Sequence, residues 1–180
     1  MLTEGYVLLY EDECHIRNEP YVHATWHERG KQKQVSISQT PKRLSLFGAV
    51  NAMSGEFFCQ GAQLCNAQSF QHFLTYLLGK FKQKHLIIVL DNVRYHHARV
   101  LQSFLYKNRD RLTLLFLPPY SPHLNLVERI WKWLKYLVLA NCSYSTTTEF
   151  ISSLAEFLDW IASEPEEVIR KISKTHLLTS

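Results

Sequence analysis

Tyr6 to Tyr10 (Tyr-Val-Leu-Leu-Tyr) is a short apolar, β-rich run that passes directly into three acidic residues, Glu11, Asp12 and Glu13. That pattern predicts a buried strand delivering carboxylates to its end. From Asn18 to Lys42 the chain is polar and broken by Pro20, Gly30 and Pro41, predicting loops around a short extended piece near Ala24 to Trp26. Leu44 to Val50 and Glu56 to Leu64 are two further apolar or alternating runs, and the turn formers of Asn51-Ala52-Met53-Ser54-Gly55 between them predict a β-hairpin. Ser69 to Phe81 carries Phe70, Phe73, Leu74, Leu77 and Leu78 at helical spacing, with Ser69 as its candidate N-cap.

Leu86 to Leu90 is a continuous β-branched and leucine run, the mark of a central parallel strand covered on both faces, and Asp91 stands at its C-terminal end. A helix over Ala98 to Asn108 comes next, then a strand over Leu112 to Leu117, stopped by Pro118-Pro119-Tyr120-Ser121-Pro122. Leu126 to Leu139 predicts a long helix with an apolar stripe of Val127, Ile130, Leu134, Leu137 and Val138. From Thr147 the tail reads as helix to about residue 173, interrupted at Pro165. Three strands, a helix, then strand, helix, strand, helix give a mixed five-stranded α/β sheet with helical covers.

At 180 residues the chain fits one domain able to bury roughly 70% of its unfolded surface. With 46% hydrophobic and 20% charged residues and no long uncharged apolar window, disordered and membrane-spanning classes are excluded. Cys14, Cys59, Cys65 and Cys142 form no Cys-x-x-Cys pair and no secretory leader is recognisable, which predicts a reduced, cytoplasmic protein. The net charge of +4 is a mild bias toward polyanions such as nucleic acid.

Asp12, Asp91 and Glu128 fall at the ends of two expected buried strands and in the first turn of a helix, so distant parts of the chain can bring them together. Three adjacent carboxylates repel and raise one another's pKa unless a cation neutralises them; hard divalent ions, Mg²⁺ or Mn²⁺, suit such an oxygen cage. Two such ions support in-line displacement at phosphorus by water or a 3′-hydroxyl. The structural alternative makes Asp12 a solvated charge, Asp91 a turn residue and Glu128 the capping-box partner of Asn125.

The segments Leu9 to Ile16, Ala24 to Gly30, Ile87 to Ala98 and Leu117 to Lys135 resemble, in that order, the catalytic core of mariner-like insertion-sequence transposases over about residues 6 to 138. The resemblance implies a ribonuclease H-like fold with the first three strands antiparallel and two more parallel to strand one. It implies an Asp-Asp-Glu catalytic and metal-binding triad of Asp12, Asp91 and Glu128. Glu13, Asn92, His96 and Asn125 match flanking positions of the family pattern, and 36 residues lie between Asp91 and Glu128. The chain departs at His123 and Leu126, where the family often has an acidic residue and a proline.

The activity implied by the resemblance is metal-dependent cleavage of DNA phosphodiesters and joining of the 3′-hydroxyl to target DNA, with TA targets favoured by relatives. Two Mg²⁺ or Mn²⁺ ions with substrate bound, double-stranded DNA as partner and a possible homodimer are implied as well. The family's N-terminal helix-turn-helix is not recognisable here, so a single catalytic domain over 1–180 is expected, its DNA-binding portion fused or supplied separately. A stand-alone nuclease and a catalytically silent DNA-binding or assembly module are the alternatives.

Weaker features remain. His23 and His27 form His-x-x-x-His without the zinc-protease glutamate. Glu128, Trp131, Lys132 and Lys135 share one helix side, either a phosphate-tracking stripe or a solvated face. Arg29, Lys31, Lys33, Lys42, Arg43 and Arg94 offer another basic path. Cys14 reads as a small buried side chain rather than a nucleophile.

Overall fold

The computed structural model describes residues 5–17, 43–119, 121–140 and 144–173. Five strands, β1 (Tyr6–Arg17), β2 (Arg43–Asn51), β3 (Phe57–Ala62), β4 (His85–Leu90) and β5 (Leu112–Phe116), form one sheet in the order β3-β2-β1-β4-β5. β1 pairs antiparallel with β2, and β2 with β3; β4 is parallel to β1, and β5 to β4. This is the expected mixed sheet. At the hairpin, Asn51 Oδ1 accepts the Met53 and Ser54 amides, and Gly55 takes φ 77°. That backbone region favours glycine, and a Cβ there would also lie 2.1 Å from the Pro165 carbonyl oxygen.

One expectation fails in an informative way. β1 does not stop at Tyr10 but runs through the acidic cluster to Arg17. Its parallel ladder with β4 ends at Tyr10↔Val89, whereas its antiparallel ladder with β2 continues to Arg17↔Arg43. The carboxylates therefore lie where half of the sheet ends and the other half continues, and the backbone hydrogen bonds of β2 keep them extended.

Helices cover both faces. α1 (Ala67–Lys80) and α2 (Arg99–Lys107) lie on the face of Leu9, Phe47, Leu86 and Ile88, burying Phe70, Phe73, Leu74 and Leu77. α3 (Val127–Leu134), α4 (Thr147–Ser163) and α5 (Pro165–Ser173) lie on the face of Cys14, Ile16, Leu46 and Val50. Each large apolar side chain fully buried in these layers contributes about 1.5–3 kcal/mol. The tail helices are thus part of the core: Arg129 donates to the Ile172 carbonyl, and Phe150, Leu154, Phe157 and Ile161 pack under α3.

One helix start and one helix end differ from expectation. α1 is capped by Asn66, whose Oδ1 accepts the Ser69 amide at 3.0 Å while Ser69 Oγ accepts the Asn66 amide at 2.9 Å. Ser69 is thus the third helical residue, and periodicity missed the polar first turn. After α3 the chain widens into a π-helical turn, Lys135–Leu139, which leaves Leu137 46% exposed while Val138 stays buried.

Trp131 is buried against Gly48: a Cβ on Gly48 would lie 2.4 Å from Trp131 Cζ2. The expectation that Trp131 shares an outward stripe with Glu128 is therefore corrected, because the indole fills the space left by that glycine. Gly48→Ala is expected to destabilise the chain by about 1–3 kcal/mol, the usual range for overpacking, and to push α3 away from β1. Denaturant unfolding checks it; an unchanged midpoint would show that Trp131 yields freely.

Candidate active site

Strand alternation decides which carboxylates meet. Leu9 and Phe47, the partner of Glu13, belong to the α1 face; Cys14 and Ile16 belong to the α3 face. Glu11 and Glu13 therefore point to the α1 face and Asp12 to the α3 face. Asp91 comes directly after the last residue of β4, and Glu128 lies in the first turn of α3. Gly48 is the register partner of Asp12, so the Trp131–Gly48 contact places α3 directly over Asp12, with Glu128 one turn earlier.

The electrostatics record this convergence. Burial pushes the Asp12 carboxyl from 3.8 up to about 8, and the charges of Glu128, Glu13 and Asp91 add to the rise against the Glu13 amide that bonds it. Asp91 is also raised, by burial and then by Glu13, with Glu128 adding and His96 and the Val93 amide opposing. Burial raises Glu11 well above its ordinary value, with Glu13, Asp12 and Asp91 contributing. Burial leads each of these rises, and repulsion among the neighbouring carboxylates adds to it.

On the α1 side, His96 is buried and bridges two elements. Its Nε2 lies 3.2 Å from Glu13 Oε1, and its Nδ1 lies 3.2 Å from the Asp91 carbonyl oxygen and 3.8 Å from Asp91 Oδ1. Asn125 is buried too: Nδ2 donates to the Glu11 carbonyl at 2.7 Å and Oδ1 accepts the Val127 amide at 3.2 Å. It thereby pins the start of α3 to β1. Asn125 bonds the Val127 amide, and the capping box proposed for it with Glu128 is not formed; the helix begins at Val127 after a Leu126 in helical conformation.

Other candidate residues lie around this centre. Asn92 is exposed and bonds the His97 ring, which packs at a tilt against Phe116 with centroids 4.5 Å apart. A cleft of about 330 Å³ runs beside Asp91, lined by Asn92, Val93, Leu117, Pro118, Pro119 and Ser121. Lys132 is exposed, and Lys135 is half-buried, its charge acting on Cys14. Burial pushes the Cys14 thiol up to about 11, which agrees with a buried packing residue and not a nucleophile. His23, His27, Arg29, Lys31, Lys33 and Lys42 lie outside the described residues.

The donor set fits a hard cation. Asp12, Asp91 and Glu128 offer oxygen ligands only, and Asp91 Oδ1 is buried without a hydrogen-bond partner. Sequence reasoning missed Glu11, which is fully buried with neither carboxylate oxygen bonded. Carrying the two-residue period of the strand through Leu9, Glu11 and Glu13 would have found it.

The DDE superfamily endonuclease family matches residues 7–151. The insertion element IS630 uncharacterized 39 kDa protein of Shigella sonnei is 28% identical over 159 residues, which are 88% of this chain and 46% of that protein. This chain thus spans about half the length of that relative. An uncharacterized protein of Sinorhizobium fredii is 25% identical over 69% of this chain and 89% of its own. Among solved structures, the Mos1 mariner paired end complex with Mn superposes with a TM-score of 0.68 at 20% identity, covering 93% of this chain and 52% of that one. The catalytic core domain of BIV integrase gives 0.55 at 16%, covering 91% and 93%. These are likenesses of fold, and they agree with the ribonuclease H-like architecture.

Proposed function

The chain belongs to the DDE superfamily endonucleases, and we propose that it is the catalytic domain of an insertion-sequence transposase that cleaves DNA and joins the freed 3′-hydroxyl to a target. The observation that carries this is the placement of Asp12, Asp91 and Glu128 on three elements, with Trp131 on Gly48 holding α3 over Asp12 and the Glu128 and Asp91 charges adding to the burial that raises the Asp12 carboxyl. Asp12, Asp91 and Glu128 would hold Mg²⁺ or Mn²⁺, which would supply activation of a water or 3′-hydroxyl and neutralisation of charge on the phosphate.

The protein's own groups do the positioning. Asn125 fixes Glu128 relative to β1, and Trp131 against Gly48 sets the height of α3 above Asp12. The cleft beside Asp91 is open to a nucleotide flanking the scissile phosphate, with Asn92 and Ser121 as polar contacts and Pro118 and Pro119 as apolar walls. Double-stranded DNA is the partner in this reading. A DNA-end-reading portion, fused or separate, a homodimer and a cytoplasmic or nucleoid location complete it.

The test is joining of a pre-cleaved 3′ end to a plasmid target with Mn²⁺ present. Joined product is the expected result. Hydrolysis without joining would point instead to a stand-alone nuclease, and neither activity to a silent DNA-binding module.

Lys132 and Lys135 lie along α3 and the turn after it, leading away from Glu128, where a phosphate backbone would pass. Changing both to Ala is expected to weaken DNA binding for all sequences alike and to reduce the slope of log affinity against log salt by roughly two units, about 0.9 per phosphate contact. Circular dichroism should show an intact fold. An unchanged slope would move the DNA path to Arg43, Arg94 and the basic residues between 29 and 42.

A further inference from the structure

We propose that Glu11, Glu13 and His96 form a second cation site, for a divalent transition-metal ion, on the face of β1 opposite Asp12. Among the described residues this is the one group of three or more ligating side chains whose ligand atoms lie within 4.8 Å of one another. Ligand bonds of about 2.0–2.2 Å place neighbouring donors about 3 Å apart and opposed donors a little over 4 Å apart, so the spacing fits one ion with little adjustment. β1 supplies two ligands at i and i+2 on one face, and the 3₁₀ turn Arg94–His97 supplies the third.

Two observations independent of the acidic composition point to a ligand. Glu11 is 0% exposed, neither of its carboxylate oxygens has a hydrogen-bond partner, and it is aimed into the cluster. Buried carboxylates are otherwise bonded or paired. The second is the setting of His96. Its Nδ1 faces the Asp91 carbonyl oxygen, which can only accept, so this nitrogen carries the proton and Nε2 is turned toward Glu13. Metal-bound imidazoles have this arrangement, the far N–H donated to a carbonyl and the near nitrogen on the ion.

A direct His96–Glu13 ion pair would satisfy Glu13 alone. It would leave both Glu11 oxygens bare in the layer that holds Leu9 and Phe70, whose ring lies 4.3 Å from that of His96. A shared cation serves all three side chains at once. The mixed nitrogen and oxygen donors favour Mn²⁺, Fe²⁺ or Zn²⁺ over Mg²⁺, in contrast to the all-oxygen set of Asp12, Asp91 and Glu128. An ion here would tie β1 to the loop carrying Asp91 from behind. The inference does not rest on the transposase reading, since it needs only the geometry of this face.

The difference in donors gives the experiment. The full chain carrying Asp12→Asn and Glu128→Gln, which weakens the oxygen-only face, is loaded with one equivalent of Mn²⁺ and read by pulsed electron paramagnetic resonance. Coupling to a directly bound ¹⁴N is expected, with a rise in melting temperature on Mn²⁺ addition. Adding His96→Gln should abolish the nitrogen coupling, and adding Glu11→Gln, which keeps the imidazole, should weaken Mn²⁺ binding at least tenfold. Circular dichroism confirms folding of each variant, and Glu11→Gln decides the matter if His96→Gln does not fold. Failure to bind Mn²⁺, bound Mn²⁺ without nitrogen coupling, coupling that survives His96→Gln, or Glu11→Gln binding unchanged would each overturn the site. Joining by the wild-type chain is a separate readout, so loss of the transposase reading would leave this result standing.

Discussion

Asp91→Asn is expected to lower metal-dependent DNA cleavage and joining roughly a thousandfold or more, which corresponds to about 4 kcal/mol of lost transition-state stabilisation. The side chain stands at the end of β4 beside both carboxylate faces, and its neighbours hold it in place: the Val93 amide bonds it, and His96 Nδ1 lies 3.8 Å from its Oδ1. Asn is nearly the same shape and can keep the Val93 bond, so the sheet should survive while an anionic ligand is lost. Calorimetric titration with Mn²⁺ on wild type and variant supplies the mechanism behind the rate. Equal binding by both would remove Asp91 from the metal site, whatever happened to the rate.

The sheet was legible because its strands are simple in composition. Leu86 to Leu90 is apolar throughout since both faces are covered, and Leu44 to Val50 with its turn pairs as any hairpin does. What sequence could not show was how far β1 extends. A run of Glu-Asp-Glu has poor strand propensity, and only the ladder with β2, a long-range fact, holds it extended. That one error concealed the two-sidedness of the site, because a continuous strand sends Glu11 and Glu13 one way and Asp12 the other.

The three candidate carboxylates were singled out from their positions at strand ends and at a helix start, and from the motifs around them. The parts that align them were not. Trp131 read as part of an outward stripe because four residues at helical spacing share a side. The glycine that admits the indole lies on β2, more than 80 positions earlier in the chain. Asn125 read as a helix cap; half of its work is a bond to the Glu11 carbonyl, 114 residues away in sequence. Both are close-packing facts, invisible to any local pattern.

Asp12→Asn is expected to stabilise the metal-free chain at pH 8 while destroying its activity. In the fold the Asp12 carboxyl titrates at about 8, against an ordinary value of 3.8 that the unfolded chain approximates. Between those values the folded chain holds a proton that the unfolded chain has released, so stability falls as pH rises through this window. Each unit is worth about 1.4 kcal/mol, giving a loss on the order of several kcal/mol by pH 8, lessened where water reaches the site. Asn carries no charge to desolvate, and its Oδ1 can still accept the Glu13 amide. The variant and the wild type should therefore melt together only at or below about pH 4, where Asp12 is protonated in the unfolded chain as well, and diverge in favour of the variant toward pH 8. Glu11, raised partly by the Asp12 charge, shifts the difference in the same direction. Mg²⁺ or Mn²⁺ should narrow the gap at pH 8 by stabilising the wild type alone. The measurement is melting temperature against pH for both proteins in chelator and then in metal; a constant difference across the range would mean that Asp12 is ionised without penalty and that the site needs no cation.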